Sequence, residues 1–414
     1  VESSIVQRPQ TRPREVLSGM PEPAEPAEAL FPDATERTEA PLYATGIVPA
    51  QDIRALIRER HILSMEPISE GQIQPASIDL RLASPAYRVR ASFLPGPGVS
   101  VREKIDALTM HEIDLGPGAV LEKGCVYIVP VMESLKLGKR VSGMANPKSS
   151  SGRLDVFTRL ITDEATEFER VRPAYKGPLY VEISPRAFSI VVREGDSLNQ
   201  LRIRRGSPPA TDTALRKLHE EIGLVQSDAG GENISKGIAV TVDLRGGSGA
   251  ASTGGTAIIG YRAKRHTDLI DIVRVNHYDP RDYWDPIPAE KDSGLTLNPG
   301  DFYILASREA ITVPPDHAAE MVAYDTLYGE FRVHYAGFFD PGFGFAESGG
   351  AGARAVLEIR SHEVPFMLEH GQVVGRLIYE RLTDIPDKVY GRDIGSNYQR
   401  QGLALAKQFK TAAA

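Results

Sequence analysis

The hydrophobic pattern changes period several times along the chain. Ile53, Leu56 and Ile57 fall at i, i+3 and i+4, which predicts a short amphipathic helix. Ile78-Asp79-Leu80-Arg81-Leu82 and Tyr87-Arg88-Val89-Arg90 then alternate, as strands with one buried face do. Short segments of this kind, punctuated by Gly and Pro, continue to about residue 205. Leu215, Leu218 and Ile222 mark a second helix after Pro208-Pro209. Strand-like segments resume beyond a Gly/Ser-rich stretch at 246–255 and run to about residue 382. The class predicted is mainly β, with many short strands in a barrel or sandwich and a few short helices.

The strand pattern repeats. Leu121/Leu297, Gly124/Gly300, Tyr127/Tyr303, Glu133/Glu309, Glu182/Glu358, Gly195/Gly371 and Leu201/Leu377 match at one offset of 176 positions. A period this long means duplicated domains rather than a solenoid. The expected division is an N-terminal arm over 1–44, a first β domain over 45–245, a linker or loop over 246–255 and a second β domain over 256–414. The arm is rich in Pro, Glu and Ala, which predicts a disordered or loosely docked segment.

Composition narrows the function. A 414-residue chain has room for two or three domains, and 41% hydrophobic residues supply more than one core. The net charge of −7 argues against general nucleic-acid or membrane-surface binding, though a local basic pocket for a small anion is compatible with it. The single cysteine, Cys125, excludes an intrachain disulfide framework and a Cys-rich zinc site, and it fits a reducing compartment. There is no long apolar span and no signal-peptide pattern at the start, so a cytoplasmic protein is expected.

Three segments could carry chemistry. Lys148-Ser149-Ser150-Ser151-Gly152-Arg153 sets hydroxyls and a glycine between two cations, a composition suited to phosphate oxygens or to a plain polar surface loop. Glu182 sits on an alternating strand, and Glu358 repeats it; a carboxylate there either lies on a wet face or, if buried, can shuttle protons. The polar, aromatic stretch from Tyr390 to Gly402 could close over a ligand or fray. No zinc-deaminase, H-E-x-x-H or G-x-S-x-G pattern is present.

Together these segments resemble the dCTP deaminase and dUTP diphosphatase family, its deaminase branch in particular, over about residues 46–402. The carrying residues are Lys148 to Arg153 for the phosphate motif, Val181-Glu182 and Leu357-Glu358 for the strand motif, and Asp340-Pro341-Gly342-Phe343 for the turn. Asn397-Tyr398-Gln399-Arg400-Gln401 matches the tail, and Ala76 to Leu82 the first strand. The resemblance implies two dUTPase-like distorted β-barrels in tandem, homotrimeric assembly, and sites lying between barrels. It implies metal-independent hydrolysis of dCTP to dUTP and ammonia, with Mg2+ accompanying the triphosphate. By that resemblance Glu182 or Glu358, with Ser149 and Arg153, would be catalytic. Lys148, Ser150, Asp340, Tyr398 and Gln401 would bind nucleotide, and a second nucleotide could inhibit.

Each repeat departs from the family pattern differently. The first has Arg172-Pro173-Ala174 in place of Asp-Pro-Gly. The second keeps Asp340 but has Tyr324-Asp325-Thr326-Leu327-Tyr328 in place of the serine motif. Two arrangements follow. Either like repeats of different chains meet, with Glu182 serving the motif, or unlike repeats meet and Glu358 serves it. Simpler symmetry makes Glu182 the first choice. A diphosphatase, a bifunctional enzyme and a non-catalytic nucleotide-binding protein are the rival functions.

Overall fold

The strand Val126–Lys136 forms the spine of the first half. It pairs antiparallel with Lys176–Pro185, which pairs in turn with Val156–Thr162. A second sheet joins Ser197–Arg205 to Val141–Pro147 and to Ile78–Arg81. The second half repeats these pairings. Phe302–Ile311 pairs with Ala353–Ser361, which pairs with Phe331–Val333; Val373–Arg381 pairs with His317–Ala323 and Ile238–Thr241. This computed structural model describes residues 42–207, 211–226, 233–246, 252–253, 256–290, 294–323, 331–333, 337–346, 352–361, 363–391 and 402–411.

The repeat extends to individual bonds. Ala119–Leu121, Val141–Pro147, Ile190–Val192 and Ser197–Arg205 answer Leu295–Leu297, His317–Ala323, Phe366–Leu368 and Val373–Arg381, each strand matched in length at the offset of the sequence pairs. Buried Tyr127 accepts from the Glu122 amide at 2.9 Å, and Tyr303 from the Asn298 amide at 3.0 Å. Glu133 accepts from the Arg81 amide and Glu309 from the Thr241 amide, both at 2.8 Å. Gly124 and Gly300 turn at φ 79° and 76°, in the left-handed region where a side chain is strained, which explains why both repeats keep glycine there.

The two predicted helices form. Helix α1 spans Ala50–Arg58 and buries Ile53 and Leu56. Helix α2, Val101–Leu108, was not expected, although Ser100 and Glu103 form a capping box at its start. One turn, α3, covers Ser149–Gly152. Helix α4 spans Asp212–Ile222, capped by Thr211, and α5 is the single turn Pro280–Tyr283.

Two boundaries differ from expectation. Leu215 and Leu218 of α4 pack on the core of the second half, and Ile238–Thr241 pairs with Val373–Arg381. Residues 211–226 and 233–244 thus pack with the second half rather than the first, because the apolar face of Asp212–Ile222 finds its partner there. In sequence the 246–255 stretch falls between two strands of that same half, Ile238–Thr241 and Thr256–Ala263, rather than between the halves. Most of it falls outside the described residues. So does the arm, except for residues 42–44, where the Tyr43 amide donates to Thr383 at 2.9 Å.

Candidate active site

The motif turn is built from its own sequence. Pro147 ends a strand, and the amides of Ser151 and Gly152 fold back onto the Lys148 carbonyl. The Ser151 hydroxyl donates to the Leu198 carbonyl at 3.0 Å, pinning the turn to the neighbouring strand. Asp155, at φ 54°, redirects the chain into Val156–Thr162. Ser149 is left exposed, Lys148 and Ser150 half-buried and Arg153 buried.

Beside this turn lies a cavity of about 330 Å3, lined among others by Asp79, Lys148, Ser150, Asp196 and Lys407. Lys148 bonds Asp79, whose carboxyl is pushed up by burial. Lys407, which sequence reasoning missed, is lowered by burial and then by the nearby Lys148 charge. It comes from a C-terminal segment held against 276–278: the amides of Asn276 and His277 each donate at 2.8 Å to the carbonyls of Lys407 and Gln408. The same segment offers the Ala404 and Leu405 carbonyls to Arg153, both at 3.4 Å. Tyr398 and Gln401 lie outside the described residues.

Two further carboxyls come from the second half. Glu358 is buried, and burial pushes its carboxyl up to about 8; the Arg153 charge opposes this and Asp155 adds to it. Asp340 is also pushed up by burial, against the pull of Arg202, and it feels the charges of Asp79 and Lys148. Arg202 donates to the carbonyls of Ala319 and Phe339, both at 2.9 Å, and to Asp340 at 3.2 Å, its guanidinium stacked 3.9 Å from the Phe338 ring centre. The motif of the first half and the acids of the second therefore meet in one chain.

Glu182 has a different environment. Arg159 donates to it through Nη2 at 2.5 Å and Nε at 3.2 Å, with its guanidinium 3.5 Å from the Phe168 ring centre. Tyr180 shares the face of Glu182, and the register sets Ile128 opposite Glu182 and Ile161 opposite Tyr180. The segment 90–108 covers that face: Val101 and Ile105 of α2 pack with Ile128, Ile161 and Tyr180, and Arg159 also donates to Ser92 at 3.1 Å. The matching segment of the second half, 264–283, goes elsewhere. Its Ile270–Asp271 pairs with Ile190–Val192, and Tyr278 and Tyr283 stack with Phe409. One repeat has sealed its glutamate; the other has sent its insert away to hold the C-terminal segment.

A duplicated β topology, with a cation-and-hydroxyl turn near buried carboxyls whose proton affinity burial raises, fits a hydrolytic enzyme that moves protons beside an anionic substrate. Residues 44–207 match the N-terminal domain model, and 211–409 the C-terminal domain model, of 2'-deoxycytidine 5'-triphosphate deaminase. The chain belongs to the dCTP deaminase family. A crystal structure of 2'-deoxycytidine 5'-triphosphate deaminase from Agrobacterium tumefaciens is 54% identical, with a TM-score of 0.77, covering 82% of this chain and 99% of that one. Proteins named "dCTP deaminase, dUMP-forming" from Salinispora arenicola and Streptomyces coelicolor are 32% and 29% identical over 149 and 160 residues. Each match covers 36% of this chain, and 74% and 80% of those proteins. Among the described residues no cluster of three or more His, Cys, Asp or Glu could hold a metal ion, and no helix is long and apolar enough to cross a membrane.

Proposed function

We propose that this chain deaminates dCTP by hydrolysis, with Glu358 as the proton-transfer group. The observation that carries this reading is Glu358 beside Arg153, held near neutral proton affinity by burial. A carboxyl so poised takes a proton from water and returns it to the base within one turnover. Water oxygen adds to C4 of cytosine as its proton passes to Glu358 and on to N3. The C4–N4 bond then breaks, the amino group leaves as ammonia with a second proton from the water, and a uracil carbonyl remains. Arg153 and Ser149 orient the carboxylate and the water. Lys148, Ser150 and Lys407 face the triphosphate, with Mg2+ arriving as its counter-ion. Tyr398 and Gln401 are assigned to the nucleotide by family likeness.

The product under this reading is dUTP, which feeds thymidylate synthesis in the cytoplasm. A bifunctional reading is favoured by one observation, Asp340 within reach of the Lys148 charge, and by the names of the dUMP-forming relatives. Each half is taken as a dUTPase-like distorted barrel, divided near residue 210, and a homotrimer of such chains is the family expectation. Incubation with dCTP, following ammonia, dUTP, dUMP and pyrophosphate, tests these together. Ammonia with dUTP supports deamination alone, and dUMP with pyrophosphate the bifunctional form. Tight binding without products would leave a nucleotide-binding protein.

A further inference from the structure

Two residues past Arg153 stands Asp155, and two residues past Glu358 stands Arg360. Arg360 bonds Asp155 directly, and both are buried, at 8% and 1% exposure. Arg360 also donates to the Gly300 carbonyl at 2.5 Å. The pair thus joins the end of the motif turn to the strand that carries Glu358.

The pair is directional. At the repeat offset, Ser184 takes the place of Arg360 in the first half; by the strand registers Phe331 answers Val156, and the residue before it in sequence is another acid, Glu330. The acid of the first turn therefore finds an arginine only on the strand of the second half. Packing that turn on the strand of a first half would leave Asp155 a buried charge without its partner.

We infer that Asp155 and Arg360 are a positioning pair, which selects the pairing of unlike halves and holds Arg153 against Glu358. This rests on the reading of Glu358 as the proton-transfer group. The charges around Glu358 define the consequence. Arg153 and Asp155 face it from the first half, Arg360 lies on its own strand, and Ile304 on the adjoining strand is neutral. Lys123 lies near both members of the pair.

The test compares Asp155→Asn, Arg360→Gln and Arg360→Lys on the full chain, each with a melting curve. Asparagine is isosteric and tolerates positive φ, so Asp155→Asn carries the test even should Arg360→Gln not fold. Asp155→Asn should lower kcat about tenfold with KM for dCTP little changed, as expected for misplacement. Arg360→Lys should recover most of the rate lost in Arg360→Gln.

The acid limb of the kcat/KM profile should move in opposite senses. Removing the negative charge in Asp155→Asn shifts it down by about half a pH unit; removing the positive charge in Arg360→Gln shifts it up by about as much. A structural role alone would give no opposed shifts, and their absence in folded variants overturns the inference. Glu358→Gln in the same series separates the two claims. If it stays fully active, or if the wild type releases no ammonia, the reading of the site has failed; if it is inactive while Asp155→Asn is unaltered, only the positioning pair has failed.

Discussion

Arg153 and Glu358 are 205 positions apart in sequence, yet the guanidinium of one acts on the carboxyl of the other inside a single chain. Each repeat lacks something its counterpart keeps: the first the Asp-Pro-Gly turn, the second the serine motif. Under the proposed function the losses are complementary, each half supplying what the other lacks. Replacing Glu358 by Gln should therefore lower ammonia release from dCTP by about 10²–10⁴-fold, with the fold intact by circular dichroism.

The same carboxyl predicts the pH dependence. The base must be ionised to accept a proton, and its folded-state value is about 8, so kcat/KM should rise with pH and level off above about 8. A steady-state profile from pH 6 to 9 checks this. A limb centred near the ordinary carboxylate value of 4.5 would assign the proton transfer to another group.

Stability should run the other way. Glu358 holds its proton more tightly folded than unfolded, so its ionisation costs the folded state increasingly as pH rises from 4.5 toward 8. Glu358→Gln cannot ionise and escapes that penalty. Its melting temperature should exceed that of the wild type at pH 8, by on the order of 2–4 °C per kcal/mol recovered, and the gain should vanish near pH 4.5.

Glu182→Gln should have the opposite signature. The change weakens the Arg159 pair beneath α2, so melting should fall by several degrees, of the order expected when a buried ion pair loses a partner. kcat should stay within about threefold of wild type, because this carboxylate is committed to Arg159. Melting curves and ammonia assays on one preparation separate the two effects.

Lys407 lines the cavity beside Lys148 and Ser150. Lys407→Met should raise KM for dCTP about tenfold and leave kcat little changed, as loss of uniform binding does. The rise should be smaller for dCMP, which carries two fewer phosphates.

Much of the fold was legible in sequence because its signals are local. Period-2 strands, Ile53/Leu56/Ile57 of α1 and Leu215/Leu218 of α4 all show in short windows. Glycine pairs such as Gly124/Gly300 record turns that only positive φ allows. Helix α2 was missed although Ser100 and Glu103 announced it, because a Pro/Gly-rich approach masked a helix of barely two turns. The destination of α4 and of Ile238–Thr241 depends on tertiary partners, which no local pattern encodes. The motif and both glutamates stand out in sequence, but which inserts cover which face does not. Lys407 carried no signal, since its role comes from a segment folding back across the chain.

The central claim is that one chain completes its own site, and a mixing experiment tests it most directly. Arg153→Ala and Glu358→Gln chains, differently tagged, are unfolded together, refolded and assayed for ammonia release from dCTP. A site confined to one chain predicts that the mixture stays as inactive as either variant alone. Sites shared between chains would restore about a quarter of the wild-type rate, as random assortment around a closed ring demands, and that result would contradict the account.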